Sequence, residues 1–107
     1  MNNHCKQHFG TKPDSLYLAK TWGFENIMNT GVTNVLFTNG LNDGWAVGSV
    51  TETLSEERNL IALNFPNGAH HSDLSHSDPG PNDTADIQQG HKDIADILEK
   101  WLKEIVV

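Results

Sequence analysis

The chain has 107 residues, enough for one small domain or for part of a larger one. With 36% apolar and 20% charged residues, it is not of disordered composition. Fourteen acidic residues against seven basic ones give a net charge of −7, which leaves no clustered basic face for nucleic acid.

The N-terminal stretch "MNNHCKQHFGTK" lacks the apolar segment of a signal peptide and, read literally, places the chain in the cytosol. It reads as disordered, with His4 and His8 solvated. Cys5 is the single cysteine and, on composition alone, an inert thiol. Next, Asp14 or Ser15 is expected to cap a short helix that ends near Gly23. Leu16, Leu18 and Ala19 lie on its apolar side. Val35, Leu36 and Phe37 form a continuous apolar run that stops at Asn39-Gly40. This pattern predicts a strand buried on both faces, as in a parallel sheet. "LNDGWAVGS" reads as loop, and "VTETLSEER" as one or two helical turns.

Leu60 to Phe65 forms a second strand, closed by Pro66 and Asn67-Gly68. Strand, short helix and strand make a βαβ unit. A long polar loop, "GAHHSDLSHSDPGPNDT", follows. From Thr84 the residues Ile87, His91, Ile94, Ile97, Leu98, Trp101, Leu102 and Ile105 recur at helical spacing. They predict an amphipathic helix of ~20 residues with this stripe toward the core. Asp83 or Thr84 is the expected cap, and Asp86 suits the positive helix start. No apolar run is long enough to cross a membrane. Two parallel strands and one helix bury little by themselves. The expected architecture is therefore α/β, with the chain as the end of a larger fold.

Both polar loops follow a strand, which is where open α/β sheets place their sites. Asp43 lies in the first loop and His70 in the second, and neighbouring parallel strands would bring them together. An aspartate that orients a histidine is the supporting pair of a hydrolytic triad. In the α/β-hydrolase order the nucleophile comes first, then Asp, then His. No G-x-S-x-G elbow is present, and Ser15, Ser49, Ser72, Ser75 and Ser77 lack a strand-to-helix setting.

"TNVLFTNGLNDGWAVGSV" followed by "LNFPNGAHHSDL" resembles the lysosomal Pro-X carboxypeptidase and dipeptidyl peptidase family of serine peptidases. Its motifs are N-G-x-x-D-P-W, with the catalytic Asp, and G-A-H-H-x-D-L, with the catalytic His. "CKQHFGTKP" is similar to a further family segment. The resemblance runs from about Cys5 to Trp101. It implies that Asp43 is the orienting carboxylate and His70 the general base. Asn39, Gly40, Trp45, Gly68, His71 and Asp73 are supporting motif positions. Trp45 is expected to pack the Asp43 loop, and His71 and Asp73 to shape theirs by bonds to backbone. Gly44 stands where the motif has proline, which loosens that loop.

The resemblance further implies that the chain is the C-terminal portion (1–107) of an α/β-hydrolase-fold catalytic domain, with parallel strands, flanking helices and a long C-terminal helix. Its nucleophilic serine, oxyanion donors and capping domain would lie upstream. The substrate class is a proline-containing peptide, cut as a carboxypeptidase or a dipeptidyl peptidase. No cofactor and no metal are called for. The partners are the peptide and the upstream part of the same polypeptide, and a homodimer is admitted. The implied setting is lysosomal, vacuolar or secretory. There Cys5 would pair with an upstream cysteine, and Asn82, in Asn82-Asp83-Thr84, would be a glycosylation acceptor. The fragment alone is expected to be inactive.

Two other readings stand beside this one. His70, His71, Asp73, His76 and Asp78 offer metal donors, although "HHSDLSH" matches no zinc-hydrolase spacing. Without the paired motifs His70 would be a solvated loop residue, Asp43 an ordinary turn aspartate, and the chain a non-catalytic interaction fragment.

Overall fold

Two six-residue strands, β1 (Val35–Gly40) and β2 (Leu60–Phe65), pair in parallel with Val35 opposite Leu60 and Gly40 opposite Phe65. The computed structural model describes residues 2–74 and 80–105. His76 and Asp78, two of the metal-donor candidates, lie outside the described residues. The chain divides into two units, one up to Val32 and one from Thr33 onward.

The first unit is helical. Helix α1 spans Asn2–Phe9, so the expected disordered start is corrected. His4 and His8, one turn apart on this helix, bring their rings to 4.3 Å between centroids, and both side chains remain exposed. Helix α2 spans Tyr17–Trp22 and stops at Gly23 as expected, because Gly23 adopts the left-handed conformation (φ 73°) and its N–H bonds Ala19 O. Its start differs from the expectation. Leu16 is the cap position and gives no side-chain bond, whereas Asp14 Oδ1 accepts from Leu16 N at 3.0 Å. Leu16 and Leu18 are 42% and 61% exposed, and no residue of α2 is buried. A short 3-10 segment, Phe24–Asn29, kinked at Asn26, closes this unit.

In the second unit both strands start from an asparagine in the left-handed region, Asn34 (φ 57°) and Asn59 (φ 53°). Asparagine tolerates this conformation better than most residues. Asn34 N bonds Arg58 O at 3.0 Å and Val35 N bonds Asn59 O at 2.9 Å, which fixes the register at its first residue. The connection between the strands is not the expected helix. Residues 51–59 form turns and an antiparallel bridge, Ser55 to Leu60. Backbone and side-chain groups of residues 50–53 are recruited by the sheet. Asn39 Nδ2 donates to Val50 O at 2.8 Å, Asn64 Nδ2 donates to Thr51 O at 2.8 Å, and Thr53 Oγ1 accepts from Ala62 N at 3.1 Å. Leu54 N and Ser55 N also both donate to Leu60 O, at 3.0 and 3.3 Å, and donors engaged in this way are lost to a helical ladder. The segment Gly44–Gly48, expected as loop, is instead a 3-10 helix.

Helix α3, Ala85–Ile105, matches the expected amphipathic helix and packs on β2. The core is Leu60 and Phe65 from β2 with Ile87 and Trp101 from α3. Gly90 lets the helix approach so closely that an added Cβ would lie 2.1 Å from Phe65 Cε1. The lower part of the expected stripe is not core. Leu98, Leu102 and Ile105 are 46%, 63% and 75% exposed. Strand β1 is half-buried along its length except for the buried Asn39, which corrects the expectation of burial on both faces. A two-stranded sheet packed by one helix cannot cover both of its faces. The expected caps of α3 turn elsewhere, since Asp83 Oδ2 accepts from Gly80 N at 2.7 Å and the Thr84 hydroxyl donates to Asp86. Asp86 in turn accepts from Asn67 N at 2.7 Å and ties the helix start to the turn after β2. No helix among the described residues is long and apolar enough to cross a membrane.

Candidate active site

Parallel pairing in this register ends both strands at one edge, so the loops after Gly40 and Phe65 leave side by side. Their backbones are joined there. Leu41 N donates to Phe65 O at 3.0 Å, and Asn42 N donates to Gly68 O at 2.9 Å. The consequence at side-chain level is a bond of 2.7 Å between Asp43 Oδ2 and His70 Nδ1, across 27 residues of sequence.

Asp43 is held from two sides. Its N–H bonds Gly40 O at 3.0 Å, and its Oδ1 accepts from Trp45 N at 3.0 Å as the cap of the 3-10 helix. One carboxylate oxygen is thus fixed by backbone, which leaves the other for His70. The side chain of Asp43 is 17% exposed and that of His70 is 60% exposed. The hydrogen bond from His70, and secondarily that from Trp45 N–H, holds the Asp43 carboxyl below its ordinary value of 3.8 against a smaller opposing effect of burial. An ionised carboxylate can only accept, so Nδ1 of His70 carries the hydrogen and Nε2 of the neutral ring carries the lone pair. A ring oriented in this way can take a proton at Nε2 while the carboxylate stabilises the imidazolium that forms.

The pair opens on a cleft of about 230 Å³, whose lining includes Thr38, Asn39, Ser49 and Asp73. Asn39 is 7% exposed, and its Nδ2 also bonds Asn64 Oδ1 at 3.1 Å, its register partner on β2. Asp73 Oδ2 accepts from Thr38 Oγ1 at 2.5 Å. This is a bond from loop to strand rather than the expected bond to backbone. His71 sits in the left-handed region (φ 63°), with its ring 3.9 Å from that of His70, centroid to centroid. Such a backbone is uncommon outside glycine and asparagine, and it turns the two histidines out of simple alternation. Ser72 Oγ accepts from Ala69 N at 2.8 Å and closes the same turn. Trp45 does not pack the Asp43 loop. The residue is 78% exposed, and its contribution is the backbone N–H.

Among the described residues no three His, Cys, Asp or Glu side chains are grouped to hold a metal ion. Cys5 is half-buried and unbonded among the described residues. Asn82 is exposed in the turn before α3. Thr38 and Asn64 carried no expected role. The Asn39–Asn64 contact was foreshadowed by an asparagine next to the turn in both "TNG" and "LNFP".

The family model for serine carboxypeptidase S28 matches residues 1–94. The bovine lysosomal Pro-X carboxypeptidase is 29% identical over 106 residues, which is 99% of this chain and 20% of that protein. The mouse thymus-specific serine protease is 35% identical over 103 residues, 94% of this chain and 19% of its own length. The human lysosomal Pro-X carboxypeptidase is 34% identical over 74 residues, covering 69% of this chain and 14% of the relative. The chain therefore spans a fifth or less of the length of the curated relatives it matches. On these matches, the chain belongs to the serine carboxypeptidase S28 family of peptidases.

Proposed function

We propose that this chain supplies the acid–base half of a serine peptidase site, with His70 as general base and Asp43 as the carboxylate that orients it. The observation that carries this reading is the 2.7 Å contact of Asp43 Oδ2 with His70 Nδ1 at the shared carboxyl edge of two parallel strands. His70 Nε2 takes the proton of the attacking serine and returns it to the leaving amine. Asp43 keeps the required tautomer and stabilises the imidazolium. The chain is the C-terminal portion of an α/β-hydrolase-fold catalytic domain, and the serine and the oxyanion donors come from the remainder of that domain. The substrate is a short peptide cut beside proline, as the names of the Pro-X carboxypeptidase relatives suggest. The same names favour a lysosomal setting, in which Asn82 would accept a glycan and Cys5 a disulfide partner.

The test uses a proline-containing peptide and two preparations. The 107-residue chain alone is expected not to cleave it. In the polypeptide that joins this chain to its serine, Asp43→Asn is expected to lower kcat on the order of 10⁴-fold with the peptide still bound. Cleavage by the isolated chain that disappears in His70→Ala, or full activity of the Asp43→Asn polypeptide, would overturn the assignment.

A further inference from the structure

Beneath the Asp43–His70 pair the two loops meet backbone to backbone, with Asn42 N donating to Gly68 O at 2.9 Å. Gly40 is the last residue of β1, opposite Phe65. A Cβ placed on Gly40 would lie 2.4 Å from Ala69 O, 2.8 Å from Gly68 O and 2.9 Å from Gly68 C. On the other side, a Cβ on Gly68 would lie 2.7 Å from Phe65 Cβ and 3.3 Å from Gly40 Cα. The obstructing atoms around Gly40 are carbonyl groups, which cannot rotate aside as a side chain can. The loop they belong to is held from below, because Gly68 N bonds Phe65 O at 3.0 Å and Phe65 is 1% exposed.

We propose that Gly40 is a positioning residue: its missing side chain sets the separation of the two loops and so the contact between Asp43 and His70. The consequence for peptide cleavage rests on the reading of that pair as catalytic. The contact itself does not. Ordinary van der Waals contact for a Cβ begins at 3.4 Å, so a side chain at Gly40 drives Ala69 O back by about 1 Å from its 2.4 Å position. Ala69 immediately precedes His70. The same displacement applied to the 2.7 Å bond takes it beyond hydrogen-bond distance. A misplacement of ~1 Å in a catalytic group costs on the order of 10²-fold in rate.

The Asp43 carboxyl reports this separation, because the bond from His70 is the main cause of its lowered pKa. The experiment is an NMR titration of Asp43 in the full 107-residue chain, with parent, Gly40→Ala, Gly48→Ala and Ile87→Val compared. Gly40→Ala is expected to return Asp43 toward its ordinary value of 3.8 and to move the His70 Nδ1 proton signal upfield. Gly48→Ala, whose added Cβ meets nothing within 4 Å, leaves both unchanged. Ile87→Val weakens the core and also leaves both unchanged, which separates positioning from a general loss of stability. An Asp43 midpoint in Gly40→Ala equal to the parent's would overturn the proposal. Should Gly40→Ala not fold as the 107-residue chain, the same Asp43 titration is made on Gly40→Ala in the polypeptide carrying the serine, where a midpoint equal to the parent's likewise overturns the proposal. In the polypeptide carrying the serine, Gly40→Ala is expected to lower kcat by about 10²-fold. A displaced Asp43 midpoint with unchanged kcat would keep the positioning role and refute the catalytic reading of the pair.

Discussion

Replacing Gly90 by alanine sets two physical effects against each other, and the structure decides the sign. Glycine inside a helix is ~0.8–1 kcal/mol less favourable than alanine, so α3 by itself would gain about that much from Gly90→Ala. The new methyl, however, would sit 2.1 Å from Phe65 Cε1, 2.6 Å from Cζ and 2.9 Å from Cδ1. Ordinary contact begins at 3.4 Å, so the ring must retreat by more than 1 Å. Phe65 is 1% exposed and has no solvent-side space to move into. Overpacking of this kind costs ~1–3 kcal/mol, and a displacement this large belongs in the upper part of that range. The net expectation is a destabilisation of about 1–2 kcal/mol, seen as a fall in melting temperature of roughly 4–16 °C. Thermal unfolding followed by far-UV circular dichroism measures it. A companion double mutant isolates the cause: in a Phe65→Leu background the ring is gone, and Gly90→Ala should become neutral or stabilising. A Gly90→Ala chain that melts at or above the parent temperature would refute the packing argument.

Three further outcomes are expected. Asp86 is drawn down from 3.8 to about 2, first by the Thr84 hydroxyl and then by the Asn67 N–H. A folded value below the unfolded one means its contribution is complete above about pH 4 and is lost as pH falls toward about 2. Asp86→Asn should therefore flatten the acid limb of the folded fraction in that window, and an unchanged slope would count against the tie. Asn39→Ala removes the donor to Val50 O and Asn64 Oδ1 and should cost ~1–3 kcal/mol in urea unfolding; a cost near zero would mean those acceptors find other partners. Gly44 opens the 3-10 helix, and the preceding Asp43 already has the extended backbone (φ −89°, ψ 124°) that a following proline demands. Gly44→Pro should stabilise by ~0.4–1 kcal/mol with the Asp43 titration unchanged, whereas a loss of stability would show that the site's backbone is incompatible with proline.

The parts legible in the sequence are those fixed by local pattern. Both strands lay in apolar runs ending at Asn-Gly or Pro-Asn-Gly turns, and the period of α3 was plain from Ile87 to Trp101. The meeting of Asp43 with His70 follows from parallel neighbours of equal length, each with its loop at the same end. What the sequence hid was decided by distant partners. Residues 51–59 have helix-compatible composition, yet Asn39, Asn64 and Ala62 claim backbone or side-chain groups within residues 50–53. The sequence points to Asp43 as the partner of His70, yet nothing in it announces that Asp43 also caps a 3-10 helix in a stretch that reads as loop. At the start, α1 forms although its sequence carries no apolar stripe to announce it. On α3 the periodicity marked which residues share a face. It could not say how far along the helix that face would be covered, and cover stops before Leu102 and Ile105.

The irregular connection between the strands bears on how the family can vary. The register separates paired residues by 25 positions, so bringing β1 and β2 together closes a loop of that size. Lengthening such a loop from about 25 to about 35 residues raises its closure entropy by only ~0.3 kcal/mol, because the cost grows as (3/2)RT ln n. The pair is set by the strand ends and by the glycine contact beneath them, not by the path between. Insertions placed after the Val50–Thr53 attachment can therefore accumulate through evolution as surface decoration while the distance from Asp43 to His70 stays the same.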